Sequence, residues 1–228
     1  NTGVSSYVEK LETDNTASAS MKKQEGSYFD TFFNHTLSYD KRNQSHKTSD
    51  GYISRLTQNI PLISESYTLI NTYDYKIYNE WLDENVFSIG FFGKTSNSLT
   101  GKNIKLSDRL YLPASKLRGF ESGKVGPKDG VDFIGGNYAT SINIATSLSQ
   151  ILPNSQNTNF SVFFDAANVW GIDYSSSLSD ESKIRSSIGI ALDYLTPIGP
   201  LSFSLSEPIT KGTHDITESF RFNLGTTF

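Results

Sequence analysis

The feature that most constrains the fold of this 228-residue chain is the alternation of apolar and polar residues along most of its length. Successive side chains of a β-strand point to opposite faces, so a period of two predicts strands that each carry one apolar face. In the segment 67–78, for example, Tyr73, Tyr75 and Ile77 alternate with polar or charged residues. No segment shows convincing helical periodicity. We therefore expect an all-β protein.

The pattern predicts nine clear strands and a partial one near the start of the chain. The connectors are long at 95–132, 171–183 and 207–218, and short at 81–85, 152–159 and 197–200. Short turns at one end of the strands and long loops at the other are the layout of an antiparallel transmembrane β-barrel. The connector 63–66 is short although it falls among the long ones.

A soluble β-sandwich or a lipocalin-like barrel is the alternative, because these folds also have strands with one apolar face. Two features favour the membrane barrel. The polar faces consist of Ser, Asn, Thr, Gly and isolated charges, which suits a wet lumen better than a packed interior. Aromatic residues cluster toward the strand ends, as in interfacial girdles. The mean hydropathy of −0.38 fits either class, since lipid-facing and lumen-facing residues average out.

Enzymatic and nucleic-acid-binding functions find no support in the sequence. The chain has no cysteine, and its three histidines lie in separate segments without the spacing of metal ligands. Nucleophile-elbow, P-loop and dinucleotide-binding motifs are missing. The net charge is −4, and no dense basic patch marks a nucleic-acid surface. We therefore expect a protein that is not an enzyme and uses neither a metal nor another cofactor.

The segment KLRGFESGKVGP, residues 116–127, is unusual for a loop because Leu117 and Phe120 flank an Arg-Gly pair. Asp165 lies on the strand face opposite Phe164, so the strand pattern places its carboxylate in the lumen. A guanidinium could form a bidentate ion pair with it. From the residues alone, a solvated loop arginine is the simpler interpretation, and an exposed ion pair would contribute roughly 0–1 kcal/mol.

Several motifs occur in an order that resembles the BamA family of outer-membrane assembly factors, the bacterial surface antigen barrel. They run from about Thr16 to the end of the chain. They include Leu117-Arg118-Gly119-Phe120, Gly126-Pro127-Lys128, Gly135-Gly136-Asn137, Phe163-Phe164-Asp165, Val169-Trp170 and the closing Phe220-x-Phe222-Asn223-Leu224-Gly225. Each motif is weak by itself, whereas their order is specific.

The resemblance implies a 16-stranded barrel of which this chain, 1–228, forms about the last nine or ten strands. The first strands and the N-terminal POTRA domains of the family would lie outside it. The long loop, about 95–132, would fold into the lumen, where Arg118 pairs with Asp165. With the resemblance, this pair becomes the favoured interpretation. Gly119 would allow a tight approach of the loop backbone, while Leu117 and Phe120 would shield the pair.

Two positions depart from the family pattern. Leu117 stands where the loop motif commonly has Val. Ala167 stands where a Gly commonly follows the strand aspartate by two residues, and its methyl group is expected to alter how closely the loop packs.

The C-terminal strand, 219–228, carries a further family feature. Its alternating aromatic and aliphatic residues resemble the signal by which outer-membrane barrels are recognised for assembly: Phe220, Phe222, Leu224 and Phe228. In the family this strand pairs weakly with the first strand, which forms a lateral gate.

The function implied by the resemblance is the folding and insertion of β-barrel proteins into the bacterial outer membrane. The implied partners are the lipid bilayer, nascent β-barrel proteins and accessory assembly lipoproteins, and no nucleic acid. A two-partner-secretion-type transporter of the same superfamily is the alternative, because it shares the loop motif. A passive porin or a soluble β-protein is the third possibility.

Overall fold

The computed structural model describes residues 1–45, 47–82, 84–151, 157–173, 178, 180–196 and 199–224. Ten strands form one antiparallel sheet in which neighbours along the chain are neighbours in space, and two very short strands form a separate hairpin. The sheet strands are β1 (Thr2–Leu11), β2 (Gly26–Asp40), β3 (Gly51–Ile63), β4 (Thr68–Leu82), β5 (Asn85–Ser98), β8 (Tyr138–Ser147), β9 (Thr158–Trp170), β10 (Arg185–Thr196), β11 (Gly199–Thr210) and β12 (Phe220–Leu224); the hairpin strands are β6 (Lys128–Asp129) and β7 (Asp132–Phe133).

The antiparallel all-β fold predicted from the alternation is confirmed. The strand expected to be partial, β1, is ten residues long and pairs with β2 over its full length. The sheet is open, since β1 and β12 are its two edges and are not paired with each other within the described residues.

In the described part of the chain, helical structure is confined to single turns. The helix α1 (Ala19–Lys22) begins after Ser18, whose hydroxyl accepts a hydrogen bond from the Met21 N–H. Three 3-10 turns cover Leu106–Asp108, Ala114–Lys116 and Ser149–Ile151. Within the described part of the chain, no helix is long and apolar enough to cross a bilayer.

The sheet has one apolar face, and the long loop packs on the other. Phe29, Leu37 and Ile188 on the apolar face are about half exposed, at 47%, 57% and 47% of their surface. On this face, aromatic side chains of neighbouring strands contact each other near both ends of the strands. Tyr39, Tyr52 and Tyr75 form one row with ring centroids 5.9 Å apart at each step, and Tyr138 contacts Trp170 at 5.7 Å.

Several connectors differ in extent from the predicted ones, among them two of the long ones. β5 continues to Ser98, so the long loop comprises residues 99–137 rather than about 95–132. β11 continues to Thr210, which reduces the last connector to 211–219. Residues 197 and 198 of the turn predicted at 197–200 lie outside the described residues, and β11 begins at Gly199.

The loop 99–137 buries an apolar core against the sheet. The expectation of a wet lumen is therefore wrong where the loop lies, because the small polar residues of the inner face leave room for loop side chains. The buried cluster consists of Phe92, Leu110, Leu112, Leu117, Phe120, Val125, Ala139, Ala167 and Val169. The methyl group of Ala167 is thus part of this core.

Candidate functional site

Asp165 lies on β9 at the centre of the site. In the sheet it stands opposite Asn143 of β8 on one side and Ser187 of β10 on the other. Its exposed fraction is 0%. A carboxylate in such a place needs a compensating charge and hydrogen bonds, because burial of an unpaired ion is costly.

The loop supplies that charge through Arg118, which follows the 3-10 turn Ala114–Lys116. Arg118 Nε donates to Asp165 Oδ2 at 2.7 Å, and Nη2 donates to Oδ1 at 2.8 Å. The Arg118 backbone N–H adds a third bond to Oδ2 at 3.1 Å. The pair is therefore bidentate, which fixes orientation as well as charge.

Two neighbouring strands hold this pair in place. Asn143 Nδ2 donates to Asp165 Oδ1 at 2.8 Å and to the Lys116 carbonyl at 3.0 Å. Ser187 Oγ donates to the Arg118 carbonyl at 2.5 Å. The loop backbone is thus bound to β8 and β10 as well as to Asp165 of β9.

Phe163 forms the floor of the site. In the sequence it interrupts the polar face of its strand. In the structure it is 2% exposed, and the Arg118 guanidinium carbon lies 3.3 Å from its ring centroid. A planar guanidinium stacks well on an aromatic face, so this exception to the alternation supports the arginine.

The other residues of the loop motif pack around the pair. Leu117 and Phe120 are 3% and 1% exposed and belong to the buried core. Gly119 has a φ of +88°, a conformation that residues with a Cβ rarely adopt. A Cβ at this position would also lie 3.0 Å from the Cβ of Ser187.

The C-terminal strand contacts the loop through Arg221. Its Nη2 donates to the Phe120 carbonyl at 2.6 Å, and its Nη1 donates to the Ala114 carbonyl at 2.8 Å. The predicted C-terminal signal residues Phe220, Phe222 and Leu224 lie on the opposite face, where each is about half exposed. The structure does not bring them to the Arg118 site, and Phe228 lies outside the described residues.

Further ion pairs of the loop and its neighbours were not identified from the sequence. They are Lys105 with Glu9 and Asp30, Arg109 with Asp173, Lys116 with Asp74, and Arg185 with Asp215. Asp30 and Asp74 lie on β2 and β4 and face the long loop. Nothing in the sequence indicated their partners, because the partners lie on loops whose path depends on the fold.

Lys105 shows how these pairs compensate burial. Removal from water alone would lower the pKa of the Lys105 ammonium, but its hydrogen bond to Asp30 and the nearby Asp108 carboxylate raise it above its usual range. The ion pairs of the site therefore hold the long loop against the inner face of the sheet. Among the residues that the structure describes, no group of three or more His, Asp or Glu side chains is placed to hold a metal ion.

The comparisons with known proteins agree on one family. The Omp85 superfamily domain matches residues 1–228. The outer membrane protein assembly factor BamA of Neisseria meningitidis serogroup B is 28% identical over 183 residues, which cover 67% of this chain and 22% of that protein. The sorting assembly machinery 50 kDa subunit of Saccharomyces cerevisiae is 24% identical over 231 residues, covering 92% of this chain and 46% of that protein.

A solved structure shares the fold. The crystal structure of BamA from Haemophilus ducreyi lacking POTRA domains 1–3 superimposes with a TM-score of 0.76 and 25% identity, over 87% of this chain and 43% of that one. The chain spans less than half the length of each of these relatives.

Proposed function

This chain belongs to the Omp85 superfamily, and we propose that its sheet is the C-terminal part of an outer-membrane β-barrel that folds and inserts other β-barrel proteins. The similarity to proteins named for outer-membrane assembly and for sorting assembly supports this role. The aromatic rows near both ends of an apolar sheet face support a membrane-spanning position.

The observation that carries the proposal is the inward-folded loop with its Arg118–Asp165 pair. A loop used for surface recognition would expose its charged and aromatic residues, whereas this one buries Leu117, Phe120 and the partner of Arg118. The pair would hold the loop and the wall in the arrangement that is competent for insertion.

The proposed mechanism works through strand pairing rather than covalent chemistry. A strand edge exposes backbone N–H and C=O groups that can pair with an incoming strand. β12 is one edge of the sheet and, within the described residues, pairs with β11 on one side alone, so its other side can receive an incoming strand. In the whole barrel, weak pairing between the first and last strands would form a lateral gate at which client strands enter.

The partners proposed on this basis are the lipid bilayer, nascent outer-membrane β-barrel proteins and accessory assembly lipoproteins. Similar proteins occur in a bacterium and in a yeast. The bacterial outer membrane is the proposed location, because the solved structure that shares the fold is also a bacterial BamA. No cofactor is part of the proposed mechanism.

The test is reconstitution of the full-length protein in liposomes, followed by addition of an unfolded β-barrel client. Heat-modifiable electrophoretic mobility and protease protection measure how much client becomes folded and inserted. We expect insertion to be faster than in protein-free liposomes and in liposomes that contain an unrelated barrel protein of equal mass. Equal rates in all three preparations would contradict the proposed function.

A further inference from the structure

The first part of the long loop contacts β1 and β2, which lie toward the other edge of the sheet from the strands that bind Arg118. Lys105 Nζ contacts Glu9 Oε2 of β1 at 3.0 Å and forms an ion pair with Asp30 Oδ2 of β2. Asp165, the partner of Arg118, lies on β9. Five strands lie between β2 and β10, the strand that also holds the Arg118 carbonyl. The same loop therefore contacts strands near both edges of the sheet, β1 and β2 at one edge and β9 and β10 toward the other.

This contact is as buried as the one at Arg118. The exposed fraction of the Lys105 side chain is 5% and that of Asp30 is 1%. The Lys105 ammonium also lies 5.3 Å from the centre of the Tyr28 ring, where a cation is favoured. Asp30 Oδ1 has no hydrogen-bond partner within the described residues, so Lys105 is the main compensation for this carboxylate.

The two residues after Lys105 also contact this edge of the sheet. Ser107 Oγ donates to Glu9 Oε2 at 2.8 Å, and the Leu106 backbone N–H donates to Gln24 Oε1 at 2.7 Å. Three successive loop residues thus contact β1, β2 and the connector between them. The attachment is a local cluster of contacts and not one long side chain reaching across a lumen.

We propose that Lys105 is a second positioning residue of the loop, which ties it to β1 and β2 as Arg118 ties it to β9. Among the loop's several attachments, those at Lys105 and Arg118 would then act separately from each other, so that the loop sets the position of β1 and β2 relative to β9 and β10. The importance of this position for client insertion rests on the proposed function, whereas the anchoring itself does not.

The competing account treats Lys105 as a counter-ion inside one cooperative unit, with no separate anchoring role. The two accounts differ in what one substitution does to distant parts of the loop. Separate anchors predict local loss of protection near the substituted residue. A single unit predicts that the whole loop loses protection together.

The experiment is amide hydrogen exchange, followed by mass spectrometry, on the full-length protein and three variants. Lys105→Met keeps the length of the side chain without its charge, Lys105→Arg keeps the charge, and Arg118→Met removes the other anchor. Two segments are compared: 104–109, where the N–H groups of Leu106 and Asp108 are bonded, and 117–121, where those of Arg118 and Glu121 are bonded.

In Lys105→Met we expect exchange in 104–109 to rise on the order of tenfold, the effect of losing a buried charge-assisted bond, with little change in 117–121. Arg118→Met should give the reverse pattern, and Lys105→Arg should restore protection. Unchanged exchange in 104–109, or joint deprotection of both segments in either Met variant, would overturn the proposal.

Two further variants keep the test decisive. If Lys105→Met does not fold, Asp30→Asn removes the same ion pair from the other side and must give the same local pattern. Lys10→Met is the matched control, because Lys10 forms an exposed pair with Glu12, with side-chain exposures of 70% and 72%. It should leave exchange in both segments unchanged. Client insertion is measured separately, so its failure would contradict the proposed function and not the anchoring.

Discussion

At the scale of single residues, the Arg118–Asp165 contact combines three requirements. The carboxylate must point inward, the guanidinium must reach it from the loop, and the loop backbone must approach the wall closely. Strand parity fulfils the first, and the bidentate geometry fulfils the second. The third depends on Gly119, whose positive φ and proximity to Ser187 leave little space for a side chain.

Substitution of Gly119 tests that requirement. Gly119→Ala should lower the free energy of unfolding by more than roughly 1–2 kcal/mol, because the cost of a left-handed Ala adds to a 3.0 Å contact with the Ser187 Cβ. Urea unfolding of the reconstituted protein measures the change.

Two other glycines serve as controls for Gly119. Gly101 also has a positive φ, +74°, but a Cβ added there would meet no atom within 4 Å, and Gly3 has open space and no positive φ. We expect the loss to decrease in the order Gly119→Ala, Gly101→Ala, Gly3→Ala. Equal losses at positions 119 and 101 would show that the close approach to Ser187 contributes nothing.

Sequence reasoning identified part of this residue-scale arrangement. The family-like motif and the parity of Asp165 pointed to both partners of the pair. The stacking of Arg118 on Phe163 was not identified, although Phe163 was visible as an apolar residue on a polar face. Its meaning depends on where the loop runs, and a loop path over more than 40 residues of chain separation is not encoded in local periodicity.

At the scale of elements, the connectors on the loop side are joined by another buried ion pair. Arg185, the first residue of β10, donates from Nε to Asp215 Oδ2 at 2.8 Å, and their side chains are 1% and 2% exposed. Asp215 also accepts a hydrogen bond from the Gly126 backbone N–H at 3.3 Å. This carboxylate therefore connects the connector 211–219, the start of β10 and the long loop.

Arg185→Met should destabilise the protein by about 3–5 kcal/mol, because Asp215 is left as an uncompensated buried charge. The double variant Arg185→Met/Asp215→Asn should recover part of this loss, since the remaining group is neutral. Denaturant unfolding measures both. A loss below about 1 kcal/mol for the single variant, comparable to that expected for the exposed Lys10→Met, would contradict the role assigned to this pair.

The strands themselves were largely predictable, and their ends were not. Alternation identifies a strand while one face is apolar, and it fails where both faces become polar. At the end of β5, Thr95 and Asn97 replace the apolar residues, yet the strand continues to Ser98. Cross-strand hydrogen bonds sustain it there, including Tyr138 Oη to Asn97 Oδ1 at 3.2 Å. Such pairings depend on the neighbouring strands and are invisible in one segment.

At the scale of the whole molecule, the long loop organises the inner face of the sheet. It contacts β1 and β2 through Lys105, β9 through Asp165 and β12 through Arg221. The ten strands of the large sheet followed from the sequence. The packed core under the loop did not, because small polar residues on the inner face suggest a wet lumen until the loop that fills the space is known.

The most direct test of the proposed function is client insertion by the full-length protein carrying Arg118→Glu, alone and together with Asp165→Arg. The single change places two carboxylates together at a buried site, and the double change restores opposite charges with altered geometry. We expect the single variant to lose most of its insertion rate and the double variant to regain part of it. If Arg118→Glu folds and inserts clients as fast as the unmodified protein, the claim that this pair holds the loop in its working position is wrong.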